Sequence, residues 1–138
     1  MKYLCLGFHE EKAWTSLPAR ERDAVLEETF AYADWLRASG HLIDDHGLQN
    51  AATATTLRFR SGQMSITDGP FAETKEQLGG IMLLEANDLN QAIQLVSKIP
   101  CMRIGGSIEL RPINEELSSG RAPSSHTLKL PSAATSNV

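Results

Sequence analysis

The sequence predicts an α+β domain in which an antiparallel sheet, built in the order β-α-β-β-α-β, carries two helices on one face. Three patterns carry that expectation. Residues 3–8 form a continuous apolar run ended by His9-Glu10-Glu11-Lys12, as in a strand buried on both faces. Leu26, Phe30, Ala33 and Leu36 recur at helical spacing and predict a core-facing stripe. Residues 53–67 alternate on either side of Ser61-Gly62, a two-residue hairpin signal.

Taken in order, the first helix follows the opening strand, with Ser16 as its cap, Pro18 in its first turn and Gly40 as its stop. Trp35 falls on the face opposite Leu26, which leaves an indole among charged residues. Residues 41–43 read as a short strand and residues 44–47 as the turn out of it. In the hairpin, Thr55, Leu57 and Phe59 share one face, while Thr56, Arg58 and Arg60 share the other. Residues 81–84 predict the next buried strand. Asp88-Leu89-Asn90-Gln91 is a capping box ahead of the stripe Leu89, Ala92, Ile93, Val96 and Ile99, which Pro100 closes. Residues 107–113 alternate again, with Ile108 and Leu110 against Glu109 and Arg111. From Leu117 the composition turns to Ser, Thr, Ala and Pro. The expected division is therefore a domain over residues 1–116 and a low-complexity tail over 117–138, which has no core of its own and would order only against a surface such as a neighbouring subunit.

A chain of 138 residues is one domain on length, and 41% hydrophobic with 22% charged residues is the usual balance of a soluble protein. The net charge of -4 and the scattered Lys and Arg argue against a nucleic-acid partner. The first apolar run is too short for a signal peptide or a membrane span, so no membrane partner is expected. Cys5 and Cys101 have neither CxxC nor metal-ligand spacing, which suits a reduced cytoplasmic protein with Cys5 as a small core residue. No phosphate-cradling glycine loop and no dinucleotide fingerprint occurs, so no cofactor is implied.

The densest stretch is residues 67–80, TDGPFAETKEQLGG. Gly69, Gly79 and Gly80 admit positive φ and Pro70 fixes its own, so the loop is shaped beyond what a plain turn requires. Asp68 is a candidate acid, base or ligand-binding carboxylate; an Asx-turn that bonds nearby amides is the equally simple account. Phe71 can wall a pocket, and Lys75 brings a cation, although Glu73, Lys75 and Glu76 also suit a solvated loop tip. Arg58, whose strand precedes the turn to Asp68, is the preferred anion partner over Arg60 and Arg111. His41 and His46 flank Asp44 and Asp45 at a spacing that matches no metal pattern, so no metal site is expected. His9, at the end of the first strand, is a candidate proton shuttle.

This stretch, together with Met1-Lys2-Tyr3, Gly47-Leu48, Ala52-Thr53-Ala54-Thr55-Thr56 and Gly106-Ser107-Ile108-Glu109-Leu110-Arg111-Pro112, resembles the DGPF branch of the YCII-related family. The likeness runs from residue 1 to about residue 112. It implies a ferredoxin-like α+β unit that pairs into a dimeric α/β barrel. A homodimer also follows from the layers, since one layer of helices leaves the second sheet face to be covered by another copy. The wider family is associated with a His and Asp pair proposed for acid-base work. Asp68 matches the carboxylate, whereas residues 19–39 hold no histidine and His9 is the available substitute. The expected function is a small-molecule pocket at the DGPF loop with lyase-like or isomerase-like proton transfer. In it Asp68 and His9 are catalytic, Arg58, Phe71 and Lys75 bind ligand, and Gly69, Pro70, Gly79 and Gly80 shape the loop. The alternative is a non-catalytic accessory protein, since members of this branch resemble products encoded beside extracytoplasmic-function sigma factors. Trp35 and the tail would then be its contact surfaces.

Overall fold

The opening apolar run becomes the central strand on which every other layer is built. In the computed structural model, which describes residues 1–119, the elements are β1 (Lys2–His9), α1 (Glu11–Thr15), α2 (Ala19–Ala38), β2 (Leu42–Gly47), β3 (Thr55–Arg60), β4 (Gln63–Asp68), β5 (Gln77–Glu85), α3 (Leu89–Val96) and β6 (Ser107–Pro112). Short 3-10 turns lie at Ala51–Thr53, Pro100–Ile104 and Glu115–Leu117. The expectation for the tail falls from residue 120 onward outside the described residues.

Strands β2, β5, β1 and β6 form one antiparallel sheet in that order, and β3 pairs only with β4. With the hairpin set aside, this is the ferredoxin-like arrangement the sequence predicts. Tyr3 and Cys5 on β1 lie opposite Leu84 and Met82 on β5. Against that face pack Ala33 and Leu36 of α2 and Ala92, Leu95 and Val96 of α3, so both helices cover one side of the sheet. Leu36 and Leu84 are fully buried, and each such side chain contributes roughly 1.5–3 kcal/mol over its exposed state. No helix among the described residues is long and apolar enough to cross a membrane.

Several local expectations change. A short helix, α1, occupies Glu11–Thr15, and the Ser16 hydroxyl donates back to the Lys12 carbonyl at 2.5 Å instead of capping α2. Pro18 is the N-cap residue of α2, and its carbonyl accepts from Glu21 and Arg22. Phe30 is 61% exposed, so the stripe that enters the core is Ala33 and Leu36. Residues 44–47 continue β2 because β5 offers them a ladder: Asp44 pairs with Leu83, Asp45 with Met82 and His46 with Ile81. Gly79 and Gly80 belong to β5 and have no positive φ; in the 67–80 stretch only Gly69, at +111°, uses that freedom. Helix α3 ends at Val96, and Pro100 opens the next 3-10 turn.

The hairpin and the capping box form as the sequence predicts. Ser61 and Gly62 take φ of 52° and 76°, the left-handed pair of a primed two-residue turn. The Asp88 carboxylate accepts from the Gln91 amide at 2.8 Å, and the Gln91 side chain accepts from the Asn87 amide at 2.7 Å. Asp88→Ala should therefore lower unfolding free energy by about 1 kcal/mol in a urea titration.

Cys5 yields a pH test. Burial pushes its thiol up to about 11 from the ordinary 9.0. Above pH 9 the unfolded chain releases this proton while the folded chain holds it, so stability is lost as pH rises from 9 toward 11. A parallel titration of Cys5→Ala should lack that loss, and the difference between the two curves should be on the order of 1–2 kcal/mol at pH 11.

Candidate functional site

Two glycines make the site. Tyr3, Cys5 and Gly7 alternate on the helix-facing side of β1, and Gly7 lies directly opposite Gly80 of β5. Neither glycine supplies a side chain, so the space between the sheet and α2 stays open there. The result is a cavity of about 290 Å³. Its wall on the α2 side is Leu26, Thr29, Phe30 and Ala33, and Met102 and Ile104 close the side formed by the 3-10 turn. His9, Glu10 and Trp14 also line it, the indole carried by α1.

Gly79 sets the position of His9. The β1–β5 register shifts between Gly7 and Phe8, and a Cβ built on Gly79 would overlap the His9 imidazole. The ring occupies the space a side chain would need. Gly80 is also confined, since its Cβ would come within 3.3 Å of the His46 carbonyl. These glycines are there for close approach of neighbours, not for a turn.

The cavity is mostly apolar, with a few polar groups. Thr29 Oγ1 is buried in the wall and has no hydrogen-bond partner. Cys101 is exposed as a residue, yet burial of its thiol pushes the pKa up; the nearby Thr29 hydroxyl, too loosely placed for a full hydrogen bond, opposes this only in part. A thiol so shifted is protonated at neutral pH and is a poor nucleophile.

The DGPF loop has two ends with different partners. At its head the Gly69 amide donates to the Ala54 carbonyl at 2.7 Å, and the Thr56 hydroxyl donates to the Gly69 carbonyl at 2.7 Å. Arg58 stands over the Phe71 ring at 5.5 Å and donates to the Phe71 carbonyl at 2.8 Å. The Asp68 carboxylate makes no hydrogen bond or ion pair among the described residues, so the Asx-turn is not what holds this turn together. At the tail, Lys75 lies 3.8 Å from the Glu10 carboxylate, and Glu76 accepts from the Ser107 hydroxyl at 2.9 Å. Glu10 and Ser107 both line the cavity.

Of the residues singled out in the sequence, His9, Gly79 and Gly80 line the cavity, whereas Asp68, Arg58, Phe71 and Lys75 do not. The structure brings Arg58 to Phe71 and leaves both beside the hairpin. Sequence reasoning missed Trp14, Phe30 and Thr29. The available signal was Gly7 inside an apolar run, paired with a later Gly-Gly. His46 bonds Asp44 at 3.0 Å on the exposed edge strand, and this bond leads the causes that lower the Asp44 pKa. No group of three or more His, Cys, Asp or Glu among the described residues could hold a metal ion.

Comparison with known proteins places this geometry. A structure of 5-chloro-2-hydroxyhydroquinone dehydrochlorinase (TftG) from Burkholderia phenoliruptrix AC1100, in complex with 2,5-dihydroxybenzoquinone, is similar at a TM-score of 0.50 and 14% identity, over 83% of this chain and 94% of that one. At that identity the likeness is one of fold, the dimeric α/β barrel. An uncharacterized protein, R00369, from Rhizobium meliloti (strain 1021) is 31% identical over 114 residues, 82% of this chain and 92% of the relative. The YCII-related domain matches residues 1–116, and the chain belongs to that family.

Proposed function

We propose that the chain binds a small, mainly apolar ring compound in the cavity beneath α2 and moves a proton on it through His9, in chemistry of the lyase or isomerase kind. The observation that carries this reading is the His9 imidazole seated over Gly79 in the lining of an apolar cavity. Imidazole is the side chain that both gives and takes protons near neutral pH. Apolar walls exclude water and strengthen any charge interaction formed within. A volume of about 290 Å³ stands at the small end of the roughly 300–1,000 Å³ range of ligand pockets, which suits a single ring.

The fold neighbour supports the same class. A dehydrochlorinase eliminates hydrogen chloride, a reaction that requires a proton to be removed, and the neighbour's structure holds a hydroxylated benzoquinone. Thr29 Oγ1 is a polar atom that such a ring oxygen could satisfy. Lys75 and Glu76 tie the DGPF loop to the cavity rim and so couple loop position to access. Asp68 enters the chemistry only if its exposed carboxylate reaches a bound molecule from the hairpin root; full turnover in Asp68→Asn would remove it from the mechanism.

Native mass spectrometry of the protein as isolated should detect a discrete small-molecule mass, one per chain. Added 2,5-dihydroxybenzoquinone should quench the Trp14 contribution to fluorescence. Phe30→Asp, which puts a charge at the cavity wall, should weaken that binding at least tenfold. Once a bound compound is shown to react, His9→Ala should lower kcat about 10²-fold or more with binding retained. Gly79→Ala should lower kcat through displacement of the His9 ring, with a small change in melting temperature. A protein that carries nothing and does not bind the quinone would end this reading in favour of the non-catalytic accessory role.

A further inference from the structure

The floor of the cavity is bare backbone across three strands. Gly80 of β5 pairs with Gly7 of β1 on one side and with Gly47 of β2 on the other. All three face the helices: two residues along each strand, Cys5, Met82 and Asp45 pair in the same way and line the same cavity. Gly7 also pairs with Ile108 of β6, whose side chain closes that end of the floor. At the other end β2 is the edge of the sheet, and Gly47 is exposed while it lines the cavity. Two strand spacings separate Gly7 from Gly47, a length of about 10 Å. None of the three has a positive φ. A Cβ on Gly47 would meet nothing within 4 Å and one on Gly7 nothing closer than 3.5 Å, so backbone geometry requires glycine at neither position.

We infer that the cavity selects flat, oxygen-bearing rings and that Gly47 sets how long a ring system it accepts. The inference rests on the proposed reading of the cavity as a ligand site, though not on proton transfer at His9. A planar ring can lie directly on peptide groups only where no Cβ lifts it away, and Leu26, Phe30 and Ala33 of α2 then cover its other face. A puckered ring of similar size is thicker and meets the helix wall. A second observation, independent of the glycines, concerns the oxygen. Thr29 Oγ1, in the α2 wall of the same cavity, is shut off from solvent and has no hydrogen-bond partner. A buried hydroxyl left in that condition is unfavourable, and an oxygen on the ring satisfies it. The bare floor runs across the strands from Ile108 to the sheet edge, so a ring system lengthened in its own plane extends outward over Gly47.

Calorimetric titration of the full chain with three compounds tests this. Hydroquinone should bind roughly tenfold or more tightly than cyclohexane-1,4-diol, which carries the same two hydroxyls on a puckered ring. 2,6-Dihydroxynaphthalene, longer in the ring plane, should bind at least as tightly as hydroquinone. Gly7→Ala sets a methyl group beneath either planar compound and should weaken both by roughly tenfold or more. Gly47→Val should weaken the naphthalene by roughly the same factor and hydroquinone by less than about threefold. Both variants should melt at or above the temperature of the unaltered chain, because each replaces a strand glycine that needs no special φ with a residue better suited to a strand. A firmer fold with weaker binding is the reverse of what loss of a packing role produces. Equal affinity for the planar and puckered diols, a Gly47→Val chain that treats the two planar compounds alike, or a Gly7→Ala chain that melts earlier would each overturn the inference while a ligand site remains. If neither planar compound binds the unaltered chain, the reading of the cavity as a ligand site and this inference fall together.

Discussion

A strand with no side chain on its buried face cannot fill the space beneath a helix, and Gly7 and Gly80 put two such positions opposite each other at the centre of the sheet. The consequences spread outward. Lower on the same strands Tyr3, Cys5, Leu84 and Met82 restore the normal layer thickness, so α2 is held against the sheet through Ala33 and Leu36. One turn earlier, Phe30 and Leu26 have no opposing side chain and line a cavity instead. A core that is dense at one end and open at the other is thus a property of two paired backbone positions.

The 67–80 stretch is best understood as a strap between two structures. Its head is fixed to the hairpin by Thr56, Ala54 and Arg58, and its tail to the cavity rim by contacts of Lys75 and Glu76. Exposed ion pairs of the Lys75–Glu10 kind contribute at most about 1 kcal/mol. The rim end can therefore release without disturbing the sheet, whereas Gly79 and Gly80 are held by the β5 ladder.

The layers were legible in the sequence because their signals are periodic: the apolar run of β1, the alternation of the hairpin, and the stripe and box of α3. The DGPF stretch was legible as a special segment, but its glycines were not. A glycine required for positive φ and one required for a neighbour's close approach look identical in a sequence. Gly69 is the first kind, Gly79 and Gly80 are the second, and only the register of β1 on β5 distinguishes them. That register also decides which candidate residues meet. His9 and Gly79 are 70 positions apart and in contact, while Asp68 is nearer to Gly79 in sequence and lies outside the cavity lining. Continuation of β2 through the Asp44-Asp45 pair was hidden for a related reason: the local residues favour a turn, and an available partner strand outweighs that preference.

Gly7 tells structural necessity from function at this site. Its φ is not positive, and a Cβ added there would meet nothing closer than 3.5 Å, an ordinary contact with the Gly80 carbonyl. Backbone geometry does not demand glycine at this position, and a larger residue would both stiffen the strand and fill empty volume. Glycine in a strand interior costs roughly 0.5–1 kcal/mol relative to alanine. A gap left where a methyl group fits, beneath a helix, is the feature on which the proposal of a bound ring compound rests.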